Sequence, residues 1–295
     1  MYPFFVFFVG FVRKTFSFPK LFVSCSSKSR KKSRMDWHIV IVLLISGTAV
    51  GVINTLAGGG SIITMTMFMA FGLPINVANG TNRVAVLMQN LAATVTFIRK
   101  KSFNINHGLL LSIPVILGNI IGAIVASDVP EPVFTWCFGV ILLVIMVYLL
   151  IDHKLKPKEG HNIEIKPLHY FIFFLIGFYG GYIYIGLGYL ILTITLWMMR
   201  MDMVTANAIK GFVILLATPF SLAVFMIMGN VDYSFGLIHG VGNMIGSFLA
   251  SHYMANWGKG FIKIFMAVIV AICFADLMGW LSLHDFFYSM LSIKE

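Results

Sequence analysis

The sequence predicts an all-α polytopic membrane protein. It is read as two homologous repeats of about four transmembrane helices each, with a short half-helix or re-entrant arm after a glycine-rich break in each repeat. Three observations predict this. Hydrophobic residues make up 59% of the 295 and charged residues only 11%, with a mean hydropathy of +0.92; soluble domains carry roughly 25% charged residues, so this inventory cannot build a water-exposed surface. Apolar segments close to the ~20 residues that cross a bilayer core alternate with short polar punctuation. Finally, three local patterns occur twice, in the same order, on either side of a polar central loop.

The first 34 residues read as a basic N-terminal extension outside the fold. They hold eight of the 21 Lys and Arg and no acid, so the formal net charge of +10 falls to +2 over the remainder. A nearly neutral body excludes the nucleic-acid partner that a high isoelectric point would suggest. "MYPFFVFFVGFV" is too short to span, and its charges follow the apolar run, the wrong order for a signal peptide. Either translation starts at Met35, or residues 1–34 are a basic tail held against anionic headgroups.

The first repeat is placed at 35–151, with spans near 37–57, 82–99, 106–127 and 132–151. A polar loop follows at 152–168. The second repeat occupies 169–282, with spans near 169–188, 205–228, 233–251 and 260–282, and 283–295 form a C-terminal tail. Two shorter apolar pieces, 62–73 and 189–199, follow the glycine-rich breaks; at 1.5 Å per residue each reaches about 16–18 Å, short of the roughly 30 Å core. If these arms cross, the two repeats are inverted; if they re-enter, there are eight full spans and the repeats are parallel. Either way "RKK" (99–101) and the 152–168 loop share a side, cytoplasmic by the excess of positive charge.

The repeats are legible in "GNIIGAIVAS" (118–127) against "GNMIGSFLAS" (242–251), "GGGS" (58–61) against "GLGY" (186–189), and "ANGTNR" (78–83) against "ANAIK" (206–210). Three glycines with polar neighbours break a helix, since each costs a helix interior about 1 kcal/mol relative to Ala. Irregular backbone at membrane depth is tolerated only where it is buried in protein or lines a watery cavity. Interrupted short helices in corresponding halves point to a transporter binding site.

The candidate substrate-binding residues follow: Asn54, Gly58, Gly59, Gly60, Ser61, Thr64, Asn79, Thr81, Asn82, Arg83, Gln89 and Asn90 in the first half, and Gly186, Gly188, Asn207 and Lys210 in the second. Unpaired amides in hydrocarbon are costly, so the Asn and Gln face one another, water or a ligand. Arg83 and Lys210 sit at corresponding points, and a cation within a span costs at least about 2.5–3.5 kcal/mol. Unless they snorkel to the headgroups, they would draw an anion into a cavity beside half-helix N-termini. Asp276, towards the end of its span, and His239 are the candidate proton carriers within spans. Gly118/Gly122 and Gly242/Gly246 form small-residue faces for close helix packing. Cys25, Cys137 and Cys273 have no metal or disulfide spacing. No HExxH, GxSxG or CxxC appears, so no enzyme, metal or cofactor is expected.

"GVINTLAGGGSIITMTMFMAFGLPINVANGTNRVAVLMQNLAATVTFIRK", with "GFYGGYIYIGLGYLIL" and "TANAIK", resembles the two blocks of the sulfite exporter TauE/SafE family over roughly 35–282. The resemblance implies a duplicated multi-pass transporter of the plasma membrane and small anionic sulfur compounds or related organic acids as substrates. Tyr184 stands where many members carry a small residue, and Gly180 where some carry Asp. The reading is therefore a secondary transporter of a small anion, with the lipid bilayer as its surroundings and either a coupling proton or ion gradient or the substrate's own gradient as energy source. A non-transporting membrane sensor or assembly factor is the alternative, and an intramembrane enzyme a more distant one.

Overall fold

A computed structural model of the chain describes residues 37–126, 165–254 and Val268. The expected spans at 132–151 and 260–282, most of the central loop, the N-terminal extension and the tail lie outside the described residues, as do Asp276 and the three cysteines. Residues 40–254 belong to one compact unit, and Trp37–Ile39, the start of the first helix, belong to another.

Among the described residues the structure is entirely helical. Helix α1 spans Trp37–Leu56, α2 Ser61–Ala70, α3 Ile75–Arg99 and α4 Ile105–Val125. After the undescribed segment come α5 at Pro167–Tyr182, α6 at Leu187–Trp197, α7 at Met203–Ile227 and α8 at Tyr233–Tyr253. Of these, α1, α4 and α7 are long and apolar enough to cross a membrane. The large apolar side chains left outside, such as Ile45, Leu91, Leu117, Phe171 and Ile245, supply a lipid-facing surface.

Side chains at the helix starts decide where most elements begin. The carboxylates of Asp202 and Asp232 accept from the first amides of α7 and α8, and Asn104 does the same for α4. Left-handed backbone marks the two breaks: Gly58 has φ +95° just after α1 and Gly186 φ +73° just before α6, a region glycine enters without steric cost. The chain reverses at the first break. Gly60 lies against Val50 and Asn54, and Ser46 Oγ lies 3.1 Å from Met67 Sδ, so α2 runs back along α1.

Two boundaries differ from the sequence reading. The third helix starts at Ile75, not near 82, and takes the polar "ANGTNR" run inside it. Asn79, Thr81 and Arg83 there bond to other parts of the chain, at Tyr182, Asp232 and Ser221, so polarity does not exclude the run from a helix. Helix α5 ends at Tyr182, earlier than the expected 188, because the second break opens at Ile183, whose backbone is extended.

Glycine sets the packing. A Cβ on Gly118 would strike the backbone of Phe174 and Phe178, and one on Gly122 the backbone of Phe178 and Tyr182, so α4 and α5 lie side by side and parallel. Gly242 and Gly246 press on Leu44 and Thr48 in the same way, making α8 and α1 parallel neighbours. Small residues allow this approach, and dispersion and backbone contact then hold helices together where lipid gives no hydrophobic drive.

Candidate functional site

The two glycine-rich breaks meet. A Cβ on Gly58 would come 2.6 Å from the Gly188 carbonyl carbon, and one on Gly188 2.6 Å from the Gly58 Cα. Only two residues without side chains can bring the backbones this close. Beside the contact lies a narrow cavity lined by Asn54, Gly58, Gln89, Asn90, Tyr184, Gly188, Lys210 and Ile214, with room for about one water molecule. It lies near the middle of α3 and α7, which run antiparallel: Arg83 reaches Ser221, whereas Asn90 and Thr94 face Gly211.

The polar lining is partly self-satisfied. Asn54 Nδ2 donates to Gln89 Oε1 at 3.0 Å, and Asn90 Nδ2 donates to the Val86 carbonyl at 2.8 Å. Asn54 Oδ1 is buried without a hydrogen-bond partner. Lys210 is 3% exposed, and its ammonium donates to the carbonyls of Asn54 and Thr55 at 3.0 and 2.8 Å and to Asn207 Oδ1 at 2.6 Å. The two carbonyls are among the last of α1, where a helix leaves acceptors unpaired and carries partial negative charge. A cation there closes the helix end.

Arg83 does the same for the other half. It is wholly buried; Nη1 donates to Ser221 Oγ at 2.7 Å, and Nη2 donates to the carbonyls of Gly180 and Gly181 at 3.2 and 2.7 Å. Its guanidinium carbon sits 4.5 Å from the centre of the Phe225 ring, a favourable cation–π distance. Asn79 adds a donor to the Tyr182 carbonyl at 3.3 Å. The cation of each half therefore braces the broken helix of the other, α3 to α5 and α7 to α1.

Six of the residues expected from sequence line the cavity: Asn54, Gly58, Gln89, Asn90, Gly188 and Lys210. The others are placed around it. Gly59 faces the Tyr189 ring, Gly60 caps α2, Ser61 opens that helix and Gly186 caps α6. Asn207 holds Lys210. Thr64 Oγ1 lies 3.0 Å from His239 Nε2, and Thr81 Oγ1 accepts from the Asp232 amide. Asn82 is buried, with its Nδ2 unpartnered. Arg83 is turned to α5 and lies outside the cavity lining. Both cations bond at C-terminal helix ends, Lys210 at the end of α1 and Arg83 at the end of α5, because the strongest buried acceptors near a break are the carbonyls that the broken helix leaves unpaired. Ile214, Ser221 and Ser247 were missed. Ser221 holds Arg83, and Ser247 links Thr55 to the Gln89 carbonyl; a Ser inside an apolar span carries no signal of its own.

Membrane-length apolar helices, broken helices meeting in the interior and a small polar cavity between them define a membrane transporter. The chain belongs to the sulfite exporter TauE/SafE family, whose profile matches residues 43–277. It is 28% identical to the probable membrane transporter protein ORF9 of Sinorhizobium sp., over 82% of this chain and 92% of that protein. A probable membrane transporter protein of Haemophilus influenzae is 24% identical over 82% of this chain and 96% of its own length. The probable membrane transporter protein YunE of Bacillus subtilis is 28% identical over 69% and 83%. No solved structure matches the chain.

Proposed function

We propose that the protein is a secondary transporter of a small anion (sulfite, a sulfonate or a related organic acid) that passes between the two glycine-rich breaks. The observation that carries this reading is the cavity at the Gly58–Gly188 contact, where Lys210 and the amides of Asn54, Gln89 and Asn90 converge. The cation supplies attraction and the amides supply orientation. In this conformation the cavity is too narrow for such an anion, so passage requires one arm to move away from the other, as alternating access demands.

Two inverted repeats are the architecture this reading uses. Helices α3 and α7 are both 25 residues long, and α4 and α8 both 21. The left-handed residues fall in three pairs with a constant separation of 128: Gly58 and Gly186, Gly72 and Arg200, Lys101 and Gly229. Corresponding helices run in opposite directions: α3 is antiparallel to α7, while α1 and α3 are parallel to α8, and α5 and α7 to α4.

The test is sulfite, methanesulfonate and acetate flux in proteoliposomes, with Gln89→Ala and Asn90→Ala beside the wild type. Saturable flux of at least one anion, weakened by both substitutions, supports the proposal; equal leak with and without protein rejects it.

A further inference from the structure

Lys210 is an ammonium inside an oxygen cage. Its three N–H bonds point at three oxygens, Asn54 O, Thr55 O and Asn207 Oδ1, at 2.6 to 3.0 Å. Half-helix C-terminal ends with freed carbonyls are where transporters coordinate a coupling ion; here a side-chain ammonium occupies that place. No carboxylate balances it among the described residues. The only acids there are Asp202 and Asp232, and both cap the helices that they precede. The groups facing the ammonium are otherwise neutral: Asn54 and Thr55 from α1, Gln89 and Asn90 from α3, and Asn207 from α7. Tyr184, from the link between α5 and α6, is the other titratable side chain at the cavity. Arg83 is committed to α5, and His239 is held between Thr64 and the Leu43 carbonyl, away from the cavity lining.

We propose that Lys210 is the proton-coupling residue: its ammonium holds the end of α1 closed through Asn54, Thr55 and Asn207, and loss of the proton to the cavity water releases that end. The step balances simply. The ammonium gives one proton to water, and the amine left behind has two N–H bonds for three oxygens. One carbonyl or the Asn207 amide is then unmatched, which in a dry interior drives rearrangement. The ammonium would also be the cation that an entering anion meets, so one group would serve charge attraction, the proton and the position of the arm. This rests on the transporter reading above and adds the identity of the coupling ion.

The test has two arms. Hydrogen–deuterium exchange of purified protein, corrected for intrinsic rates, follows the last turn of α1 in mildly acidic and in alkaline buffer. The wild type is expected to lose about tenfold in protection on going alkaline, what one charge-assisted hydrogen bond supplies. Lys210→Arg, which stays charged, should show no such loss. Asn207→Asp provides the same control where the larger Arg fails to fold, because a carboxylate beside the amine keeps it protonated. Equal protection of the wild type in both buffers, or an equal loss in Asn207→Asp, overturns the proposal. In the second arm, liposomes holding a pH-sensitive dye are given a sulfite gradient. Proton movement with sulfite in the wild type, absent in Lys210→Arg, supports coupling; sulfite flux without protons overturns it. No sulfite flux at all counts against sulfite as substrate, and the exchange arm then decides the proton alone.

Discussion

Gly58 and Gly188 touch backbone to backbone, and no side chain separates the two halves of the molecule at that point. Gly58 also has a left-handed φ of +95°. A methyl group at either position has nowhere to go but into main chain, which cannot yield as a flexible side chain can.

Gly188→Ala should therefore lose transport and cost about 1–3 kcal/mol, the usual range for overpacking. Gly58→Ala should cost more, since left-handed backbone adds about 1–2 kcal/mol for a residue with a Cβ. Gly211→Ala is the contrast: it lies in α7 with its nearest neighbours at 3.5–4.0 Å, so it should be neutral or gain up to about 1 kcal/mol. Melting of purified variants checks all three, and equal melting points would contradict the close approach.

Arg83→Gln is expected to act on folding before it acts on transport. It removes the donors to Ser221 and to the Gly180 and Gly181 carbonyls, and each orphaned buried acceptor costs about 1–3 kcal/mol. Arg83→Lys should recover part of the loss, because an ammonium cannot span the same fork. The measurement is folded yield and melting temperature. A well-folded Arg83→Gln protein with only weakened substrate affinity would instead put Arg83 at the ligand.

Thr64→Val should loosen the returning arm. Its hydroxyl meets His239 Nε2 at 3.0 Å, and the other ring nitrogen lies 3.0 Å from the Leu43 carbonyl. The pair ties α2 to α8 and α1 at one point. Losing it should cost about 1 kcal/mol and raise hydrogen exchange in α2 more than in α3. Uniform exchange across both helices would argue against a local tie.

Gly122→Ala and Gly246→Ala should abolish folded protein. The Cβ of each would run into the carbonyl of Phe178 or Thr48 on the neighbouring helix. Fluorescence-detected gel filtration reads the result directly, and a monodisperse peak for either variant would show that the helices can separate at no great cost.

Much of this was legible from composition and punctuation. The glycine runs fix the breaks, the repeated Gly-Asn segments mark the close-packed helices, and four of the cavity residues, Asn54, Gln89, Asn90 and Lys210, stand out as polar groups among apolar ones. The partners of Arg83 and Lys210 were not legible. Most of their acceptors are main-chain carbonyls of a helix in the other half, and every residue carries a carbonyl, so no letter in the sequence marks the few that a break sets free. The start of α3 was misplaced for a related reason. Asn79, Thr81 and Arg83 look like an interfacial run until their cross-helix partners at Tyr182, Asp232 and Ser221 are known.

The reciprocal bracing constrains how the molecule is made. The ribosome delivers α1 long before Lys210 exists, so the carbonyls of Asn54 and Thr55 wait uncapped through most of synthesis. Arg83 waits likewise for Gly180 and Gly181. A first half released alone would present an open helix end and a buried cation without acceptors, a target for quality-control proteolysis. Two halves produced as separate polypeptides in one cell would each hold what the other lacks.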